Sequence, residues 1–126
     1  MRSPAEVVNA FIAEWQQPRP DPARLASYFT EDAVYHNIPA QPVKGPEAIA
    51  AVFQGFLAQV ESRGWEVLRQ VADGNFVMNE RIDRFAAGDR VIELPVAGAF
   101  EVRGERICAW RDYFDMNTWL KALSGS

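Results

Sequence analysis

Arg81 and Asp83 stand two residues apart in one extended stretch, and Asp112 sits in a later one among a cysteine and large aromatics. Successive strand residues point to opposite faces. Val77, Asn79, Arg81, Asp83 and Phe85 therefore share one face of segment 76–86, and Met78, Glu80, Ile82 and Arg84 share the other. In segment 106–115 one face reads Cys108, Trp110, Asp112, Phe114, and the other Ile107, Ala109, Arg111, Tyr113, Asp115. If these faces are outside, Arg81 and Asp83 are a solvated surface pair, the common case for ionisable residues. If they are inside, Asp112 needs a cation or donors nearby, because a lone buried carboxylate is costly. Arg81 is the matching cation, since a planar fork of N–H donors bridges two carboxylates at once. Two carboxylates sharing one arginine in apolar surroundings favour a single proton between them, which makes one an acid and the other a base. A purely structural ion pair is the competing reading of Asp112.

Tyr35 and Asn37 share a face of an earlier short strand, where a phenol and an amide two residues apart suit one water molecule. The plainer alternative is a strand-forming tyrosine followed by an asparagine that starts a turn before Pro39. His36 points the other way and reads as a surface or packing residue rather than a base. Glu80 belongs to the outer face, and Cys108 reads as a small buried hydrophobe.

The elements that must position these groups are readable from caps and periodicity. Ser3-Pro4-Ala5-Glu6 is a capping box with proline at the first helical position, and Val7, Val8, Phe11, Ile12 and Trp15 follow at helical spacing to about Gln17. Asp21-Pro22 restarts a short helix with a buried stripe of Leu25, Tyr28 and Phe29. A strand over 33–37 and a proline-rich loop over 38–45 come next. Pro46 opens a helix with Ile49, Val52, Phe53, Phe56, Leu57 and Val60 on its apolar face and Gly64 as its C-cap. Turn signals then separate strands at 65–72, 76–86, 90–102 and 106–115, an antiparallel meander ending in a short helix over 116–123. The expected architecture is α+β: a curved, antiparallel-rich sheet forming a cone, helices packed on one side, and a central apolar pocket, in a single domain over 1–126.

Composition narrows the chemistry. The chain has 126 residues, 48% of them hydrophobic, and a net charge of −4 from interspersed charges. Without a cluster of lysines and arginines there is no footprint for nucleic acid, and without a run of about 18 apolar residues none for a membrane span. One cysteine and one histidine cannot assemble a zinc site, so no metal and no cofactor are expected. The N-terminus lacks the pattern of a signal peptide, and a cytoplasmic protein is expected.

Three segments together resemble the limonene-1,2-epoxide hydrolase family: Tyr35-His36-Asn37-Ile38-Pro39 before a helix started at Gly45, then Glu80-Arg81-Ile82-Asp83, then Trp110-Arg111-Asp112-Tyr113-Phe114-Asp115. They lie in family order across nearly the whole chain, and the last is the most specific. The resemblance implies a cone fold shared with ketosteroid isomerases and nuclear-transport-factor-like domains, in a homodimer. It also implies roles: Asp112 as general base on a water held by Tyr35 and Asn37, Asp83 as general acid on the epoxide oxygen, Arg81 bridging both, and Trp110 in the pocket. The substrate would be a small hydrophobic or alicyclic epoxide, held against Val77, Phe85, Leu94, Val96, Phe114, Phe53 and Leu57.

Two other classes fit the same cone. A ketosteroid-isomerase-like or polyketide-cyclase-like enzyme would use Asp112 or Asp83 as base and Tyr35 as oxyanion donor, but enolisation needs no bound water and gains little from a bridging arginine. A non-catalytic binding module would leave three ionisable groups in its cavity unexplained.

Overall fold

Ten elements account for about three quarters of residues 1–125, which the computed structural model describes. They are α1 (Pro4–Glu14), α2 (Pro22–Ala26), β1 (Phe29–Asn37), β2 (Val43–Lys44), α3 (Pro46–Leu57), β3 (Glu61–Asp73), β4 (Phe76–Ala87), β5 (Arg90–Arg103), β6 (Arg106–Tyr113) and α4 (Met116–Ser124). The strands form one curved sheet in the order β2-β1-β6-β5-β4-β3. Strands β3 to β6 are the expected antiparallel meander, while β1 joins β6 in parallel. The architecture is the α+β cone that the patterning implied.

The helix starts follow their caps. Ser3 accepts from the Glu6 N–H while the Glu6 carboxylate accepts from the Ser3 N–H. Asp21 caps α2 and Asp115 caps α4 in the same side-chain-to-backbone manner. Helix α1 lays Val7, Val8, Phe11 and Ile12 into the sheet, with Trp15 just past its end. Phe11 sits edge-on to Phe29 and Trp110, so the helix is locked onto β1 and β6 by aromatic contacts.

Several boundaries differ from the sequence reading. Helix α1 stops at Glu14, before Gln17, with Trp15 as its C-cap and the Trp15 ring stacked on Trp65 at 4.4 Å. Tyr28 lies past α2 and Phe29 begins β1, which is longer than expected; the Ile107 N–H donates to the Tyr28 carbonyl and ties the start to β6. The proline-rich loop holds the short strand β2. Gly64 is not a helix cap: α3 ends at Leu57, and Gly64 lies inside β3 with φ +95° at a register shift between Ser62 and Trp65. Another shift, in the β5–β6 pair, breaks the assumed alternation of β6. Ile107 is therefore fully buried, while Cys108, expected to be buried, is only partly so and donates its thiol to the Glu101 carbonyl.

Candidate active site

Strict alternation along β4 turns Asn79, Arg81 and Asp83 inward, and all three are at most 4% exposed. Beyond the β6 register shift the alternation resumes, so Trp110 and Asp112 also face inward, buried to 0% and 4% exposure. The solvated-pair reading of Arg81 and Asp83 is thus excluded.

All three guanidinium nitrogens of Arg81 are engaged. Its Nε and Nη2 donate to the two carboxylate oxygens of Asp83, each at 2.9 Å. Nη2 also donates to Asp112 Oδ2 at 2.8 Å, so one nitrogen holds both carboxylates. Nη1 donates to Asn79 Oδ1 at 2.9 Å, and the guanidinium lies over the Trp65 ring, 4.9 Å from its centroid. On the other side of Asp112, Trp110 Nε1 donates to Oδ1 at 2.7 Å. Both oxygens of Asp112 are therefore oriented, with lone pairs left over for a proton.

The parallel β1–β6 register brings the third element in. Tyr35 pairs with Trp110 and Asn37 with Asp112, and the Tyr35 ring stacks on Trp110 at 4.3 Å. The Tyr35 hydroxyl donates to Asn37 Oδ1 at 3.0 Å. His36 points away, its Nε2 donating to the Ala40 carbonyl.

These groups open onto a cavity of about 210 Å³. Tyr35, Asn37, Asp83 and Asp112 form its polar end, and among the expected apolar residues Phe53, Phe85, Leu94, Val96 and Phe114 line it. Val77, Leu57 and Trp110 are buried but outside the lining. Val77 pairs with Phe100, deeper under the sheet, and Trp110 stands behind Asp112 between Tyr35 and Phe100. Arg81 likewise stands behind its two aspartates.

Other wall residues were not anticipated: Trp15, Val52, Phe56 and Trp65, together with Met116, Trp119 and Leu120 of α4. The last three carried a signal, since positions i, i+3 and i+4 share a helix face. Gly98 carried another, because a glycine inside a strand marks close approach of a neighbouring group. A Cβ there would run into Arg81 Nη1 and stand 2.8 Å from Asp112 Oδ1.

Burial pushes the Asp83 carboxyl up to about 6, with the Asp112 charge adding to it and Arg81 opposing. For Arg81 burial acts downward, but the Asp112 and Asp83 charges outweigh it and hold the guanidinium firmly charged. Burial, followed by the Asp112 charge, lifts the Tyr35 phenol well above its ordinary range, so it stays a neutral donor. The site thus combines a carboxyl able to carry a proton near neutral pH, a second oriented carboxylate, a fixed cation and a phenol–amide pair, beside an aromatic cavity. Among the described residues no group of acidic, histidine or cysteine side chains could hold a metal ion, and no helix is long and apolar enough to cross a membrane.

Residues 2–124 match the family described as limonene-1,2-epoxide hydrolase catalytic domain. Epoxide hydrolase EphG of Mycobacterium tuberculosis is 36% identical over 118 residues, 92% of this chain and 76% of that protein. A solved LEH-like epoxide hydrolase from M. tuberculosis superposes with a TM-score of 0.78 at 29% identity, covering 94% of this chain and 87% of that one. A protein with a ketosteroid-isomerase-like fold from Catenulispora acidiphila superposes with a TM-score of 0.83 at 21% identity, over 98% and 95% of the two chains. At that identity the likeness speaks for the fold alone.

Proposed function

Because the chain belongs to the limonene-1,2-epoxide hydrolase family and is an epoxide hydrolase, we propose that it opens a hydrophobic or alicyclic epoxide with water in one step, giving a vicinal diol. Asp112 is the general base, taking a proton from a water held by Tyr35 and Asn37. Asp83 is the general acid, giving its proton to the epoxide oxygen as the C–O bond breaks. Arg81 bridges the two.

The observation that carries this reading is Arg81 Nη2 shared between Asp83 and Asp112. Opening an unactivated epoxide needs push and pull together, because a free alkoxide leaves poorly, and a correctly placed acid or base contributes about 10²–10⁴-fold each. A shared guanidinium serves both groups. In one turnover Asp83 loses a proton and Asp112 gains one, so the pair keeps its total charge against the fixed cation. Resetting the site needs only one proton returned from Asp112 to Asp83.

The aromatic cavity supports a hydrophobic substrate over a sugar or nucleotide. A homodimer belongs to the same reading, supported by Val71 and Met78, exposed apolar neighbours across β3 and β4; light scattering would test it. The function itself is tested by assaying a panel of cyclic and aryl epoxides without added metal or cofactor. Diol formation is the expected outcome, and its absence across the panel would refute the proposal.

A further inference from the structure

The hydrogen bonds do not end at the arginine. Asn79 Oδ1 accepts from Arg81 Nη1, and Asn79 Nδ2 donates to Gln70 Oε1 on β3 at 3.1 Å. Gln70 Nε2 in turn donates to Asn9 Oδ1 on α1 at 2.9 Å. Asn79 is buried, Gln70 half-buried and Asn9 exposed, so a line of three amides runs from the buried guanidinium to the surface. Neither Asn79 nor Gln70 lines the cavity.

From this line, and building on the proposed roles of Asp83, Arg81 and Asp112, we infer that Gln70 and Asn79 are positioning residues that set the plane of the Arg81 guanidinium and thereby its grip on the acid.

The argument is geometric. Nε and Nη2, along one edge of the fork, are held by the aspartates, and an anchor on that edge alone leaves the group free to pivot about it. Nη1 lies at the remaining corner, and its bond to Asn79 stops the pivot. That bond requires the Asn79 oxygen to face Nη1, since a flipped amide would set donor against donor. Arg81 Nη1, always a donor, and the Gln70 oxygen, which accepts from Nδ2, select the same orientation of the Asn79 amide, and Gln70 holds it from the far side. Gly98, between Asn79 and Asp112 on the neighbouring strand, leaves the space in which this corner fits: a Cβ would stand 3.0 Å from Asn79 Oδ1. The acceptor at Nη1 is also neutral. A carboxylate there would compete for the cation with Asp83 and Asp112, the charged partners that it faces.

The test compares Gln70→Met, similar in shape but without the amide oxygen, with Gln70→Glu, which keeps an acceptor for Asn79. Two readouts are taken: kcat and KM on an epoxide that the wild type turns over, and the ¹³C-carboxyl NMR titration of Asp83, which needs no substrate. Gln70→Met is expected to lower kcat about 3- to 10-fold, the worth of one positioning hydrogen bond, with KM within about twofold. It should also move the Asp83 midpoint up by about half a pH unit or more, because a loosened guanidinium stabilises the carboxylate less. Gln70→Glu should keep kcat near wild type. Gln70→Ala, which removes the acceptor without adding bulk, serves the same comparison if Gln70→Met does not fold. An unmoved titration in both acceptor-less variants, or equal losses in Gln70→Glu, would overturn the inference. A wild type that forms no diol would instead refute the proposed function and leave the titration to decide this point.

Discussion

Trp110 Nε1 donates to Asp112 Oδ1 at 2.7 Å, two residues along the same strand and on the same buried face. The indole is itself stacked between Tyr35 and Phe100, so it cannot turn away without breaking a three-strand aromatic ladder. Its ring packs and its N–H orients. Trp110→Phe separates the two, and it should lower kcat about tenfold, in the range of a lost bond to a charged acceptor, while KM changes little. Steady-state kinetics beside a thermal melt checks this, and an unchanged kcat would confine Trp110 to packing.

Arg81→Lys keeps the charge but not the fork. Lysine presents a point charge with no way to hold both Asp83 oxygens, Asp112 and Asn79 in one plane. We expect kcat to fall at least about 10²-fold with the fold retained. Near-normal turnover by a folded Arg81→Lys variant would count against the bridging role.

Tyr35→Phe and Asn37→Ala should each lower kcat. If both groups hold one water, the double variant should lose less than the product of the single losses, because the second change acts on a molecule already released. A double-mutant cycle in kcat measures this directly. Fully multiplicative losses would mean that the two groups serve separate steps.

The pH profile follows from Asp83. In its proposed role as general acid Asp83 must be protonated, and burial raises this carboxyl to about 6. Activity should therefore decline as pH rises through about 6 and the Asp83 proton is lost. The stability sign agrees with the raised value. The folded state binds this proton more tightly than the unfolded chain, so the group's contribution to stability is full below about pH 4 and falls as pH rises to about 6. In Asp83→Asn the pH dependence of stability from this group should vanish along with activity. A pH–rate profile rising from pH 5 to 8 would contradict the acid role.

Direct attack by water and a covalent ester on an aspartate differ in the first turnover. His36, bonded to the Ala40 carbonyl, faces away from the site and offers no base for hydrolysing an ester. With enzyme in excess over epoxide in ¹⁸O-labelled water, one solvent oxygen should appear in the first diol, with Asp112 and Asp83 unlabelled. An unlabelled first diol with label on the enzyme would establish the covalent route.

Much of this site was legible because β4 obeys strict alternation: once Arg81 and Asp83 were assigned to one face, Asn79 and Phe85 had to join them. The polar ends of β1 and β6 were legible for the same reason. What escaped reading depended on contacts between distant segments. The register shift that buries Ile107 and half-exposes Cys108 arises from pairing with β5, and no pattern within β6 records it. Gly64 looked like a helix cap from its position after α3, but the chain had already turned into β3, where Gln16 donates to the Trp65 carbonyl. Val77, Leu57 and Trp110 face inward as expected, yet an inward face does not say whether a residue meets cavity or packed core. The amide line to Arg81 crosses three elements and was invisible for that reason.

The parallel pairing of β1 with β6 has a consequence for the order of assembly. The meander from β3 to β6 joins neighbours through short turns and can form early, and it already carries Asp83, Arg81 and Asp112. Tyr35 and Asn37 arrive only when a strand from the other end of the chain docks, a closure with a high entropic cost relative to hairpins. A chain caught before that docking has the proposed acid, the cation and the proposed base but lacks the phenol and amide proposed to seat the water. Regain of activity during refolding should therefore trail the regain of sheet signal, and the interval between them reports the docking of β1.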